Sequence, residues 1–537
     1  MAHVKALSKS WKTLRYLADF MEVGTSPLQW KYLKNNEQER IERVKRTKVT
    51  FIEYQPKAAP KEIPLNSHET LKGKLDELKN ETCVNPPLRL FVVEDLSRQV
   101  IELLGSRYDV DPLFFREQIG DFVWHNTLDP WAQPSSLMSS MKQRSWFRLR
   151  NMRLRYFESE KAFENAREDA NYWNVTRRPD NDFNHWHYKD AEKRNNKGEV
   201  TEKAVVSILR TRTTVWIGKD KKKYGSGTVG IILLDPTMTD GKPLWHDRTN
   251  WLPTRGMNDE PSPLVELSTS WFEDIVKMTT TYPWFKVADD LEVADDLDVA
   301  DDQSNTPEAL ITPEALILPT MYTICAEWLV VCDYVKTRLS QIEWEIEVPA
   351  VFRSKGDAID NSLSRLHTWR RHIPVFRDMV SEALEQALPA AERLTTDSKA
   401  AAGTQEAFAD IKPDFERIFK ALEELQARVD RLTQIVTSEI SIDDSKRSLE
   451  ENHNLARLTW LATTFIPLSF VCAIFSMTDD VTALKSTYGY FLAAGIPFTA
   501  IVMFVAALAG GGALGRKVQA KKALKKGSSW WEKVSFK

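Results

Sequence analysis

Little in this 537-residue chain points to covalent cross-links. Its four cysteines, Cys83, Cys325, Cys332 and Cys472, show neither CxxC spacing nor the density of a secreted disulfide scaffold, and read as reduced buried thiols of a cytosol-facing protein. An excess of charge of one sign is missing too. Lys+Arg 73 against Asp+Glu 76 leaves a net charge of −3, which gives no global footprint for nucleic acid as a partner. The N-terminus lacks the apolar core of a secretory signal. Its first acidic residue, Asp19, follows Lys5, Lys9, Lys12 and Arg15, a faint likeness to a transit peptide that an amphipathic surface helix also explains. No P-loop, GxSxG, HExxH or dinucleotide fingerprint occurs. His185-Trp186-His187 has no third ligand at a fitting spacing and reads as a surface loop. Nothing here argues for an enzyme or a resident cofactor.

Long apolar runs are scarce, and their position is informative. With 28% charged residues and a mean hydropathy of −0.40 the chain is no carrier of many spans. Leu458 to Met477 nevertheless gives 20 residues without a charge. At about 1.5 Å per residue they cover the roughly 30 Å hydrocarbon core of a bilayer. A second uncharged stretch, Ser486 to Gly515, supplies a span over 488–514, with Tyr488 and Tyr490 where aromatic residues favour the interface. Pro467 and Pro497 interrupt the spans, which membrane helices tolerate when neighbours or hydroxyls satisfy the freed carbonyls. Arg516, Lys517, Lys521, Lys522, Lys525 and Lys526 follow the second span, whereas Lys485 is the only cation of the connection between them. The positive-inside rule then predicts a multi-pass protein with both termini cytoplasmic. The tail over 516–537, with Trp530 and Trp531, suits an anionic lipid surface.

Upstream, Pro413 is well placed to start a helix. Ile418, Leu422, Leu425, Val429, Leu432 and Val436 step by 4, 3, 4, 3 and 4, the heptad seam of a coiled coil facing a partner. The same count continues through Glu439, Asp443 and Lys446, so the seam turns polar before the bilayer. Neither Pro nor Gly occurs between Pro413 and Pro467, which predicts one helix of about 60 residues entering the membrane. Residues 47–54, 146–157 and 226–235 read as strands, and 68–80, 95–105 and 261–281 as helices. The expected fold is an α/β cytosolic domain over 1–320, a helical region and stalk over 321–455, a two-helix membrane domain over 456–515, and the tail. Residues 287–302 and 306–317 are tandem hexad repeats, expected as an exposed acidic insertion over 287–317, with a cation-concentrating loop as the functional alternative.

The segment LTWLATTFIPLSFVCAIFSM resembles the first transmembrane helix of the CorA-type divalent-cation transporters, through Leu458-Thr459, Ala462-Thr463, Phe465, Pro467-Leu468, Ser469, Phe470, Ile474-Phe475 and Met477. Arg370 to Asp378 is similar to the helix before that family's stalk, and residues 89–119 to a strand, a helix and an Asp-x-Pro helix start of its cytosolic domain. The resemblance implies a homo-oligomer, a pentamer, in a lipid bilayer, acting as an ion channel for divalent cations, Mg2+ first and zinc or another divalent second. It implies a pore lined by Asn452, Leu455, Leu458, Thr459, Ala462, Ile466, Ser469, Ala473 and Ser476, with hydrophobic constrictions at Leu458 and Ile466. The family's closing Gly-Met-Asn is Ser476-Met477-Thr478 here, followed by Asp479 and Asp480. Thr478, Asp479 and Asp480 would capture a hydrated cation at the outer mouth, without direct metal ligands. Asp443 and Asp444 flank the position of an acidic regulatory residue in the family, and read either as a shifted cytosolic cation sensor or as a solvated charge cluster. The alternative to transport is a membrane-anchored scaffold or regulator that kept the architecture. The plasma membrane is slightly favoured over an organelle membrane.

Overall fold

The computed structural model describes residues 1–29, 36–54, 59–81, 88–120, 128–132, 135–177, 192–194, 200–222, 225–238, 240–246, 257, 270–281, 313–347, 358–395, 401–476 and 484–509. His185 and His187, most of the acidic insertion, Cys83, the connection after Ser476 and the basic tail lie outside the described residues. The chain divides into two units, Met1–Thr433 and Gln434–Lys537.

The first unit is built on a seven-stranded sheet in the order β2-β1-β3-β8-β7-β4-β9. Its strands are β1 (Lys48–Tyr54), β2 (Lys61–Pro64), β3 (Leu88–Glu94), β4 (Trp146–Phe157), β7 (Val205–Lys222), β8 (Gly225–Leu234) and β9 (Lys242–Pro243), while β5 (Glu192–Arg194) and β6 (Val200–Lys203) form a separate ribbon. Only β3 and β8 run parallel; all other neighbours are antiparallel. Leu90, Phe91, Val92 and Val93 are all fully buried, because β3 has cover on both faces of the sheet and so carries no polar alternation. The strands expected over 47–54, 146–157 and 226–235 form as β1, β4 and β8, within a residue at each end.

One face of the sheet packs on helices α1 (Ala2–Ser10), α2 (Arg15–Val23), α4 (His68–Asn80), α5 (Arg98–Tyr108) and α6 (Pro112–Ile119); α3 (Glu37–Lys45) and α7 (Glu160–Ala170) lie outside that cluster. Leu17, Phe20, Leu104 and Phe114 meet Phe51, Phe91, Ile231 and Leu233 there in one apolar core. The helix expected over 95–105 starts later, at Arg98, because the Ser97 hydroxyl accepts from the Val100 amide and so caps it. Asp111 caps α6 in the same way, accepting from the Leu113 amide at 2.9 Å with Pro112 at the first helical position. Of the helix expected over 261–281, residues 271–281 are helical, and 261–269 lie outside the described residues.

The other face carries a helical layer: α8 (Leu318–Glu347), α9 (Ala358–Glu382), a π turn at Ala383–Ala387, and α10 (Leu388–Thr395). A Cβ at Gly230 would lie 3.0 Å from Leu90 and 3.1 Å from Leu316, so the absent side chain lets Leu316 seat directly on the sheet. α8 and α9 form an antiparallel hairpin, with Trp328 on Phe376 at 5.9 Å, Tyr334 on Trp369 at 6.1 Å, and Arg365 paired with Glu345. Glu382, at the end of α9, accepts from Arg148 at 2.6 Å and Arg150 at 2.7 Å on β4 and so ties the layer to the sheet. Cys325 and Cys332 are buried in α8, where burial pushes both thiols up to about 12 and keeps them protonated.

The long helix α11 spans Ala401–Phe475, 75 residues. Pro413 is therefore an interior residue and not its start. The reason lies in the seam, which extends upstream through Phe408, Ile411 and Phe415, and every member from Phe408 to Val436 is between 0 and 7% exposed. Burial of that stripe outweighs the hydrogen bond that Pro413 removes. Its cover up to Leu432 comes from within the chain, where Arg428 bonds Ser340 at 3.1 Å and Glu343 on α8, and Arg370 of α9 pairs with Asp430 at 3.2 Å.

Candidate functional site

In the second unit, α11 continues beside an antiparallel helix α12 (Leu484–Ala509). Phe470 stacks near Phe498 at 6.4 Å, the Thr464 hydroxyl lies 4.0 Å from the Met503 sulfur, and Val471 faces Gly495, one of the two glycines of α12. Pro467 and Val471 are buried in this contact, with Thr463, Thr464 and Leu468 half-buried. These residues recur every three to four positions and mark one face of α11.

The nine residues expected to line a pore, Asn452, Leu455, Leu458, Thr459, Ala462, Ile466, Ser469, Ala473 and Ser476, are all exposed. Ser469 and Ala473 stand two residues either side of Val471, about 200° round the helix from it at about 100° per residue. The stripe therefore occupies the side of α11 turned away from α12. Leu458 and Ile466 are 63% and 66% exposed, in a segment where a soluble core helix would bury both.

The polar groups on this stripe are hydroxyls with their protons already engaged. The Thr459 hydroxyl donates to the Leu455 carbonyl at 2.8 Å and the Ser469 hydroxyl to the Ile466 carbonyl at 2.9 Å. Their oxygen lone pairs stay available as acceptors, which is what the water shell of a cation presents donors to. Thr463 and Thr464 bond back one turn in the same way, to Thr459 and Trp460. The stripe carries no charged side chain between Leu455 and Ser476.

Upstream, the same spacing continues through Thr437, Ser441, Asp444 and Ser448, all exposed. From Thr437 to Ser476 the steps run 4, 3, 4, 4, 3, 4, 3, 4, 3, 4 and 3. This polar half of the stripe escapes a search for apolar periodicity; small and hydroxyl residues at heptad spacing are the signal that finds it. It also separates the two sensor candidates. Asp444 lies on the stripe, whereas Asp443 lies off it and pairs with Lys446 at 3.4 Å. Among the described residues no group of three or more His, Cys, Asp or Glu side chains could hold a metal ion within one chain. Thr478, Asp479 and Asp480 lie outside the described residues. Cys472, expected as buried, is exposed in the apolar stretch, because it falls between the α12 contact and the stripe.

Among the described residues α11 and α12 are the two helices long and apolar enough to cross a membrane, and only 11% of the most apolar window of each is buried. Of the solved structures, the complete structure of the CorA magnesium transporter from Methanocaldococcus jannaschii is similar at 8% identity, with a TM-score of 0.33, covering 86% of this chain and 96% of its own. No curated protein matches the chain. The family model described as CorA-like Mg2+ transporter protein matches residues 291–509, the stretch that holds the helical layer, the stripe and both apolar helices. Over those residues the chain is similar to the CorA-like Mg2+ transporter family, and the same stretch holds the two helices long and apolar enough to cross a membrane.

Proposed function

We propose that the chain forms a homo-oligomeric channel, a pentamer, that passes divalent cations down their electrochemical gradient, magnesium first and zinc or another divalent second. The observation that carries this reading is the continuous exposed stripe of α11, turned away from α12 and set with hydroxyls and small residues. Copies of α11 facing one another along it would enclose a path of Thr437, Ser441, Ser448, Thr459 and Ser469 oxygens. Magnesium gives up its waters reluctantly, so acceptors that hold the hydration shell suit it better than a carboxylate that would strip the shell and bind the ion tightly. Rings of Leu458 and Ile466 side chains would close the path by excluding water. At the outer mouth, Thr478, Asp479 and Asp480 would raise the local concentration of hydrated cation. Both termini lie on the cytoplasmic side in this reading, with the plasma membrane as the host.

One feature favours a second reading, a CorA-like membrane scaffold without transport: Ser476-Met477-Thr478 stands where the resemblance calls for Gly-Met-Asn, and Thr478 offers a hydroxyl in place of a carboxamide. Purified chain in liposomes loaded with a magnesium-sensitive dye separates the two. The channel gives magnesium entry above empty vesicles, saturating with external concentration. Flux at the empty-vesicle level for magnesium, zinc and other divalents alike would leave the scaffold.

A further inference from the structure

Upstream of its contact with α12, one face of α11 is apolar and open. Steps of seven carry this face from Phe470, which meets Phe498 of α12, back through Thr463 and Ala456 to Leu449, Ile442 and Ile435. Leu449 is 69%, Ile442 53% and Ile435 43% exposed. Ile442 stands about 24 Å along the helix before Leu458, where the uncharged stretch begins, so hydrocarbon does not cover it. Ile435 and Ile442 each lie two residues before a member of the stripe, Thr437 and Asp444, about 200° round the helix. A copy seated on the stripe therefore leaves them open.

The contact with α12 points to the occupant. Gly495 is level with Val471, Phe498 with Phe470 and Met503 with Thr464, so the two helices run antiparallel in a fixed register. Carried on past Ala509 in that register, Val518 comes level with Leu449, and Leu524 with Asp443, beside Ile442. Helical phase agrees with the register. Gly495 and Thr499 are buried and Met503 reaches Thr464, which marks the α11 side of α12. Steps of three and four continue that side through Ala506, Gly510, Ala513, Lys517, Ala520, Leu524 and Gly527 to Trp531. Lys517 is the single charge on this line; Arg516, Lys521, Lys522, Lys525 and Lys526 all fall off it. Charge is complementary as well, since five acids, Glu439, Asp443, Asp444, Glu450 and Glu451, outnumber Lys446 and Arg447 between 437 and 453. Arg516 and Lys517 come level with Glu451 and Glu450. Gly510 to Gly512 and Gly527 make an isolated helix here weak, so its stability has to come from the surface it lies on.

We propose that residues 516–534 of this same chain pack as a helix on the Leu449, Ile442 and Ile435 face of α11, extending the α11–α12 pair beyond the two apolar stretches. The proposal needs only that pair and stands apart from the transport reading. Its test is disulfide formation in the full chain, with Cys83 and Cys472 replaced by Ser, reconstituted in phosphatidylcholine. Ile442→Cys is combined with Leu524→Cys, and Asp444→Cys with Leu524→Cys serves as the pair off the face. Oxidation is expected to give the linked peptide in chains of monomer mass, severalfold more from the first pair than from the second. A dimer band in place of that product gives the face to a neighbouring copy, and equal yields or no link place the tail elsewhere. Loss of the link when phosphatidylserine replaces part of the phosphatidylcholine gives the tail to an anionic lipid surface. Each of these overturns the proposal. A second readout needs no cysteine: Ile442→Asp with Leu449→Asp, both at exposed positions, is expected to speed tryptic cleavage between Lys521 and Lys526 severalfold while the thermal melt stays that of the parent. An unchanged cleavage rate overturns it too.

Discussion

Ile466 shows what a single position on the stripe is expected to do. It is 66% exposed on the face away from α12, one turn from the back-bonded hydroxyl of Ser469 and two turns from that of Thr459. A β-branched side chain has little rotamer freedom in a helix, so copies of Ile466 around an axis would hold a fixed, dry constriction. Ile466→Ser replaces it with a wetted hydroxyl and is expected to raise magnesium flux severalfold in the dye-loaded liposomes, with the melt unchanged. Flux equal to the parent would show that Ile466 faces lipid and does not constrict a path. That the nine residues from Asn452 to Ser476 share one face was legible from their spacing, whereas the choice of that face came from the resemblance and its continuation to Thr437 was not read. Nor was the division between Asp443 and Asp444, since the two are adjacent in sequence and only the helical phase separates them.

At the scale of the element, α11 is a helix whose two ends obey different rules. Between Phe408 and Leu432 it is held by an apolar seam covered within the chain, while beyond Val436 its exposed surface carries polar and then apolar side chains. Leu422 is fully buried in that seam, so Leu422→Ala removes well-packed methyl groups and leaves a cavity, a loss of about 2–5 kcal/mol. Ile435→Ala, at a position 43% exposed on the same helix, is expected to cost far less. Thermal unfolding of both variants in detergent measures the contrast, and equal shifts would show that the seam is not a core. The seam itself was legible, as was β4, where apolar and aromatic residues crowd twelve positions. β7 was missed for a physical reason. Its Arg212 and Thr214 read as surface residues, yet both are buried, because Asp235 accepts from the Arg212 amide at 2.8 Å and Gln118 Oε1 accepts from Thr214 at 2.6 Å. Partners 23 and 96 residues distant satisfy groups that no local window can satisfy. Pro413 misled in the opposite direction: a strong local signal for a helix start gave way to tertiary burial on both sides of it.

For the whole molecule, the near-zero net charge and low mean hydropathy conceal a long exposed face on α11. The stripe from Thr437 to Ser476 is exposed over its full length, and its apolar members Leu455, Leu458 and Ile466 stand beside uncharged hydroxyls that lipid does not solvate. In the proposed homo-oligomer further copies of the chain would satisfy both groups at once, by packing the apolar members and enclosing the hydroxyls around water. The cysteine inventory makes this testable. Cys325 and Cys332 are buried with thiols held near 12, so they stay unreactive, and replacing Cys83 and Cys472 by Ser leaves a chain without accessible thiols. In that background Ser448→Cys lies on the stripe, and Lys446→Cys, two residues back, lies about 200° round the same helix. A short bismaleimide applied to membranes is expected to link Ser448→Cys chains into dimers efficiently and Lys446→Cys chains poorly. Flux in the same uncrosslinked background serves as the check that the assembly is intact. Equal yields at the two positions would mean that α11 does not present this face to its copies. The enclosed path, and the cation channel proposed from it, would then fall together, whereas the similarity to the CorA-like family over residues 291–509 would stand.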